Sequence, residues 1–151
     1  MSMKKIYIFL FLLVTTLVAS QASAHKRLFI LLGQSNMSGR APVEDADMAA
    51  CQMVKLLNID GHFEVARNPL NRFSNIRKDI AMQKLGPGYT FAETLSEQLQ
   101  DTIFLVVNAR GGTALERFMK NDTAGYYEKT LFRIKQALRE RPDLKPAAII
   151  W

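Results

Sequence analysis

Three short apolar runs, separated by helical patterns, constrain the fold of this chain most strongly. The runs are Leu28–Leu32, Thr102–Val107 and Ala147–Trp151. Each is apolar on both faces, which is typical of strands in a parallel sheet covered by helices. Alternation of such strands with helices predicts an α/β fold. Because parallel crossover connections are right-handed, we expect Leu28–Leu32 to lie between the other two strands.

One amphipathic pattern lies between the first and second runs, and another lies between the second and third runs. Thr90 and Glu93 have the spacing of a capping box and predict the start of the first helix. Asp122 or Thr123 is the predicted cap of the second helix, and Pro142 follows its end. The apolar faces consist of Phe91, Ala92, Leu95 and Leu99 in the first helix, and Tyr127, Leu131, Ile134 and Leu138 in the second.

The segment between the first run and the first helix is less regular. Val54–Leu57 and His62–Val65 flank a turn containing Asp60-Gly61, which predicts a hairpin. A helix over Ala46–Leu57 is the competing interpretation, because its apolar residues also share one face. Arg67–Lys84 has the composition of a long polar loop, and such loops on a rigid core often carry binding function.

The first 24 residues have the three parts of a secretory signal peptide. Lys4 and Lys5 precede the apolar segment Ile6–Ala19, and Ala22-Ser23-Ala24 offers small residues for cleavage. The apolar segment has 14 residues, fewer than the ~20 that span a bilayer. We therefore expect cleavage after Ala24, a secreted or periplasmic protein, no membrane association after cleavage, and a domain over residues 25–151.

Composition excludes two other classes of protein. Loss of Lys4 and Lys5 with the signal lowers the formal net charge from +6 to +4, and no run of basic residues follows. A charge this small and dispersed is not typical of nucleic-acid binding. Cys51 is the single cysteine, so there is no disulfide framework, and we expect it to be a small buried residue.

A serine follows the first apolar run, within Gly33-Gln34-Ser35-Asn36-Met37. The carboxyl ends of parallel strands are where α/β sheets bind ligands, and Gly33 permits a tight turn. If a helix begins here, its free backbone N–H groups can stabilise the oxyanion formed when Ser35 attacks an ester. A serine that merely caps a helix fits the same residues equally well.

A glycine-rich loop, Asn108–Thr113, follows the second run. Glycines let the backbone approach a ligand closely and present N–H groups to it. A plain turn is the alternative interpretation. Two such loops after neighbouring parallel strands would face the same crevice, which favours a functional role.

Several blocks of the chain together resemble a known family. Gly33–Arg40 resembles the nucleophile block of the sialate O-acetylesterase and carbohydrate esterase family 6 group, which belongs to the SGNH (GDSL-like) hydrolases. Leu85–Ala92 and Asn108–Thr113 resemble its second and third blocks, and Ala148–Trp151 resembles the strand before its His-Gln-Gly-Glu block. The resemblance implies a three-layer α/β/α flavodoxin-like fold with a parallel sheet, of which this chain holds the first three strands.

The resemblance also implies residue roles. Ser35 would be the nucleophile and its N–H an oxyanion donor, with Gly111, or alternatively Gly112, as the second donor. Gln34, Asn36 and Arg40 match the motif and would support the loop or the substrate. The family acts without a metal or other cofactor, and we expect none here.

The family's remaining catalytic groups come from blocks that this chain lacks. A Gln donor, a His base and its Asp partner would lie beyond Trp151, so we expect a C-terminally truncated domain with little activity of its own. We interpret His25 and His62 as ordinary surface histidines, and the acidic residues Glu44, Asp45 and Asp47 as a solvated loop.

The predicted function is therefore hydrolysis of O-acetyl esters on a sugar, by way of an acyl-serine. The acetylated carbohydrate substrate, sialic acid or xylan, and the oligomeric state stay open. A non-catalytic fragment or carbohydrate-binding remnant of such an esterase is the alternative function. A lipase is a second alternative, which the polar segment Arg67–Lys78 disfavours.

Overall fold

The computed structural model describes residues 26–151, which form one five-stranded sheet with helices packed on it. The predicted signal peptide lies outside the described residues. The strands are β1 (Lys26–Gly33), β2 (Cys51–Leu57), β3 (Phe63–Ala66), β4 (Ile103–Ala109) and β5 (Leu144–Ile150). The α-helices are the single turn α1 (Ser35–Ser38), α2 (Gly88–Leu99) and α3 (Tyr126–Glu140).

The sheet has the strand order β3-β2-β4-β1-β5, and all neighbours except β2 and β3 are parallel. The three apolar runs are therefore parallel strands with the first of them in the middle, as predicted. In the register of β1 and β4, Gly33 lies opposite Ala109, so both strands end at the same level. The loops after these two strands consequently open at one edge of the sheet.

The two long helices cover opposite faces of the sheet, which gives the three layers that were predicted. Side chains such as Phe29 and Leu31 of β1 pack with Ala92 of α2. The alternate β1 positions, Leu28 and Ile30, pack with α3. Because successive side chains of a strand point to opposite faces, a strand that is apolar throughout can fill both cores.

The predicted hairpin is confirmed, and the competing helix over Ala46–Leu57 is wrong. Asn58 holds the turn because its side-chain oxygen accepts hydrogen bonds from the backbone N–H groups of Asp60 and His62, both at 3.0 Å. The hairpin brings the sheet to five strands rather than three, and β3 is antiparallel. Arg133 of α3 donates to the Leu57 carbonyl at 2.8 Å, and burial lowers the pKa of its guanidinium to about 10.

The helix caps differ from those predicted. Helix α2 begins at Gly88 after Pro87, without the Thr90–Glu93 capping box. The earlier start buries Tyr89, whose hydroxyl donates to the Ala49 carbonyl at 2.6 Å and accepts from the N–H of the half-buried Cys51 at 2.9 Å. Burial of this hydroxyl raises the pKa of Tyr89.

Helix α3 begins after Gly125, not after Asp122 or Thr123. The Asp122 carboxylate accepts a hydrogen bond from the Ala124 N–H at 2.8 Å, so it closes a turn before the helix and caps nothing. The helix ends at Glu140, two residues before Pro142, as predicted.

Strand β5 forms an exposed edge of the sheet, paired with β1 alone. Ile149 is 66% exposed and Trp151, just after the strand, is 48% exposed. Beside them lies an apolar groove of about 380 Å³ between β5 and α3. Among residues 26–151, no helix has the length and apolar character required to cross a bilayer.

Candidate active site

Ser35 opens the single-turn helix α1 directly after β1. The backbone N–H and the hydroxyl of Ser38 both donate to the Gln34 carbonyl, at 2.9 and 2.8 Å, and close the turn. Gln34 occupies the cap position and makes no side-chain cap. The interpretation of Ser35 as a helix cap is therefore wrong, because Ser35 is already the first helical residue.

Gly33 makes the sharp turn between β1 and α1 possible. Its φ is +152°, a value that L side chains rarely adopt. A Cβ at this position would lie 2.8 Å from the Cβ of Met37, closer than two carbon atoms can pack. The glycine therefore lets α1 fold back over the end of β1 and present Ser35 at the sheet edge.

The loop after β4 lies directly beside the serine. The Arg110 N–H donates to the Gly33 carbonyl at 3.0 Å, which joins the two loops. A Cβ built on Gly111 would lie 3.8 Å from the Ser35 Cα. Ser35 and Gly111 are therefore neighbours at the carboxyl edge of the sheet, the placement that the sequence predicted.

Arg40 fills the space above Gly111. A side chain on this glycine would collide with the terminal guanidinium nitrogen Nη2 of Arg40. The other terminal nitrogen donates to the Gly39 carbonyl at 2.6 Å and to the Met82 carbonyl at 3.1 Å. Arg40 thus contacts all three loops that meet here, whereas Gln34 and Asn36 are exposed beside Ser35.

The third of these loops, Arg67–Lys84, was predicted as a long polar loop, but part of it is regular secondary structure. It contains short 3₁₀ helices at Leu70–Phe73 and Ile80–Met82. The Asn71 side chain is buried and binds both the N–H and the carbonyl of Ala109, each at 2.9 Å. It also donates to the Gln83 side chain at 2.7 Å. The end of β4 is therefore held from the side by this loop.

A second set of buried polar groups also joins the end of β4 to this loop and to α3. The Asn108 side-chain oxygen accepts from the Ser74 hydroxyl at 2.8 Å, and its amide donates to the Thr130 hydroxyl of α3 at 2.9 Å. The sequence analysis included Asn108 in the glycine-rich loop Asn108–Thr113. Nothing in the pattern of the sequence around Asn71 or Ser74 distinguishes them from other polar loop residues, so their role was missed.

Within residues 26–151, no histidine or carboxylate forms a hydrogen bond with Ser35. His62 lies at the hairpin, 3.1 Å from the Glu140 carboxylate. In the acidic segment, Glu44 and Asp47 cap a 3₁₀ turn reciprocally. No group of three or more His, Cys, Asp or Glu residues in this described part is arranged to hold a metal ion.

Comparison with known proteins identifies the family. A family model described as carbohydrate esterase, sialic acid-specific acetylesterase, matches residues 25–151. This chain belongs to that family. The three loops around Ser35 all lie inside the matched range.

The fold is also similar to that of a protein of known structure. The chain is similar to an Arabidopsis thaliana protein of known crystal structure, with a TM-score of 0.70 and 26% identity, over 83% of this chain and 56% of the other. It is also similar to a carbohydrate acetylesterase from Xanthomonas citri, with a TM-score of 0.48 and 20% identity, over 82% of this chain and 32% of the other. The chain thus spans little more than half the length of the Arabidopsis protein. No curated protein matches it.

Proposed function

We propose that this domain hydrolyses O-acetyl esters on carbohydrates with Ser35 as the nucleophile. The observation that carries the proposal is the contact between Ser35 and the Gly111 loop at the carboxyl edge of the sheet. A hydroxyl at the start of a helical turn beside a glycine-rich backbone can act as a nucleophile with backbone N–H groups near the oxyanion. Membership in a carbohydrate esterase family supports the choice of substrate.

The reaction proceeds in two steps. The Ser35 oxygen attacks the acetyl carbonyl and loses its proton to a base, while the N–H groups of Ser35 and Gly111, or Gly112 instead, stabilise the oxyanion. The bond to the sugar oxygen then breaks, the sugar leaves as an alcohol after taking up a proton, and acetyl-Ser35 remains. Water attacks this ester in the second step and releases acetate and the free serine.

The mechanism needs a general base that residues 26–151 do not place beside Ser35. Such a base contributes roughly 10²–10⁴-fold to the rate. Gln34, Asn36 and Arg40 border the serine and are assigned to the support of the loop or the sugar. No step requires a metal or another cofactor.

The experiment measures acetate released from O-acetylated N-acetylneuraminate and from acetylated xylo-oligosaccharides, with and without imidazole as an external base. We expect slow release without imidazole, faster release with it, and in both cases a rate above that of the Ser35→Ala variant. Equal rates for the two proteins would reject the esterase and favour a non-catalytic carbohydrate-binding module. Preferential hydrolysis of a long-chain p-nitrophenyl ester would favour a lipase.

Export is part of the proposal. Residues 1–24 have the features of a signal peptide, so the protein is assigned to a secreted or periplasmic location. N-terminal sequencing of the exported protein should begin at His25. A protein that retains Met1–Ala24 would contradict this assignment.

A further inference from the structure

We propose that Arg110 is the positioning residue that aims the Gly111 N–H at the oxyanion. The inference rests on the proposed function and goes beyond it, because Arg110 would act through Gly111 without touching the ester. The backbone N–H of Arg110 joins its loop to the Gly33 carbonyl, whereas its side chain has no role in the proposed reaction.

The backbone N–H groups of Gly111 and Gly112 are available to a ligand oxygen. Within residues 26–151, neither glycine donates its N–H to a carbonyl of the protein. Gly111 is nevertheless a buried residue, and buried backbone N–H groups are nearly always paired in folded proteins. A substrate oxyanion beside Ser35 would supply an acceptor, provided that the peptide group carrying the N–H is held in one orientation.

The orientation of this peptide group depends on Arg110. A peptide group is planar, so the direction of the Gly111 N–H follows from the position of the Arg110 Cα and from the rotation of the adjoining carbonyl. Two glycines come next, and glycine has the least restricted backbone of all residues. The restraint on the N–H therefore has to come from the residue before the glycines.

Three contacts hold Arg110 in place. Its backbone N–H donates to the Gly33 carbonyl at 3.0 Å. Its guanidinium donates to the carbonyl of the buried Ile76 at 2.7 Å. The same guanidinium lies 5.5 Å from the centre of the Tyr126 ring, within the range of a cation–π contact. Arg110 is thereby tied to the end of β1, to the loop Arg67–Lys84 and to the start of α3.

The test measures acetylation of Ser35 at increasing concentrations of p-nitrophenyl acetate, which separates the maximal rate from the apparent KM. An oxyanion donor acts in the transition state and contributes little to binding of the ester. We expect Arg110→Met to lower the maximal rate about tenfold and to leave the apparent KM unchanged, because a shift of about 1 Å in such a group can cost up to ~10² in rate.

Further variants separate positioning from a general effect. Arg110→Lys should restore most of the rate, because an ammonium group can contact the same carbonyl and the same ring. Tyr126→Leu removes only the ring contact and should lower the maximal rate by a smaller factor. Arg117→Met removes an exposed arginine from the segment that follows the loop, so it is the matched control and should behave as wild type.

A second measurement does not depend on esterase activity. The heteronuclear ¹H–¹⁵N nuclear Overhauser effect of the Gly111 and Gly112 amides reports their motion on the picosecond to nanosecond timescale. Arg110→Met should lower this effect at both glycines, and Arg110→Lys and Arg117→Met should leave it as in the wild type.

Three results would overturn the proposal: an unchanged nuclear Overhauser effect in Arg110→Met, equal losses of rate in Arg110→Met and Arg117→Met, or a higher apparent KM with an unchanged maximal rate. Acetylation of the wild type no faster than that of Ser35→Ala would instead reject the esterase, and the oxyanion role of Gly111 with it. The nuclear Overhauser effect would still decide whether Arg110 orients the loop, so the two failures are distinguishable.

Discussion

Gly111 lies at the point of the candidate site where three loops meet. A single methyl group there would meet the Arg40 guanidinium and lie in van der Waals contact with the Ser35 Cα. The backbone conformation of Gly111 is not the obstacle, because its φ is not in the left-handed region. A side chain at Gly111 would therefore have to displace the end of Arg40, in a space that three loops share.

We expect Gly111→Ala to lower the rate of Ser35 acetylation at least tenfold. The added methyl group displaces Arg40 or shifts the N–H that is proposed to stabilise the oxyanion, and loss of one such donor typically costs ~10²–10³ in rate. The rate is measured with p-nitrophenyl acetate as the acetyl donor. As a control, Gly111→Ala is also made in the Arg40→Ala variant. The effects of residues in contact are not additive, so the loss of rate should be smaller when Arg40 is absent. An equal loss from Gly111→Ala with and without Arg40 would contradict the steric explanation.

At the scale of elements, the loop Arg67–Lys84 and strand β4 act as one unit. Asn71 and Ser74 of the loop form hydrogen bonds with Ala109 and Asn108 at the end of β4. Since Gly111 comes two residues after Ala109, these bonds also determine where the glycine-rich loop begins. The loop is thus a support for the site as well as part of its rim.

We expect Asn71→Ala to lower the free energy of unfolding by about 2–4 kcal/mol. The variant leaves the buried N–H of Ala109 without its partner, which costs about 1–3 kcal/mol. It also removes the hydrogen bonds of Asn71 to Gln83 and to the Ala109 carbonyl, which keeps only the Ser74 hydroxyl at 3.3 Å, and each lost bond costs about 1 kcal/mol. The measurement is urea denaturation, compared through the midpoint and slope. Asn75→Ala in the same loop removes one hydrogen bond, to the Lys129 carbonyl, and should cost less than about 1 kcal/mol. A larger effect for Asn75 than for Asn71 would disprove this account of the loop.

The elements that the sequence predicts well are those that consist of a continuous apolar run. The runs that became β1, β4 and β5 were recognisable because a strand buried on both faces must be apolar throughout. The caps were mispredicted because Thr90 and Asp122 have the right local chemistry, but the burial of Tyr89 and the turn at Ala124 decide where the helices begin. Ala109, with which Asn71 forms two hydrogen bonds, lies 38 residues away in sequence, so only the folded chain reveals this pairing.

At the scale of the whole molecule, the sheet ends at an apolar edge strand, β5, which no other part of residues 26–151 pairs with or covers on its outer edge. Strand β5 pairs with β1 on one side only, and Ile149 and about half of Trp151 are exposed. An unprotected apolar edge strand is a template for pairing with other chains. We therefore expect this edge to dominate the solution behaviour of the chain.

We expect Ile149→Lys to slow the self-association of the chain, because a charge on an edge strand opposes pairing with another edge. Light scattering at several protein concentrations measures the effect. Ile59→Lys is the matched control, since Ile59 is 51% exposed in the hairpin turn and the substitution adds the same charge. Similar slowing by both variants would show that net charge, and not the β5 edge, is responsible.

The measurement that tests the central claim most directly is the location of the acetyl group after reaction with p-nitrophenyl acetate. A base is needed to remove the acetyl group as well as to attach it. Since residues 26–151 place none beside Ser35, acetyl-serine should form slowly and persist, with turnover little above that of Ser35→Ala. Mass spectrometry of the digested protein should find acetylation on Ser35 in the wild type, and the corresponding peptide of Ser35→Ala should be unmodified. An unmodified Ser35, or hydrolysis by the Ser35→Ala variant at the wild-type rate, would contradict the assignment of Ser35 as the nucleophile.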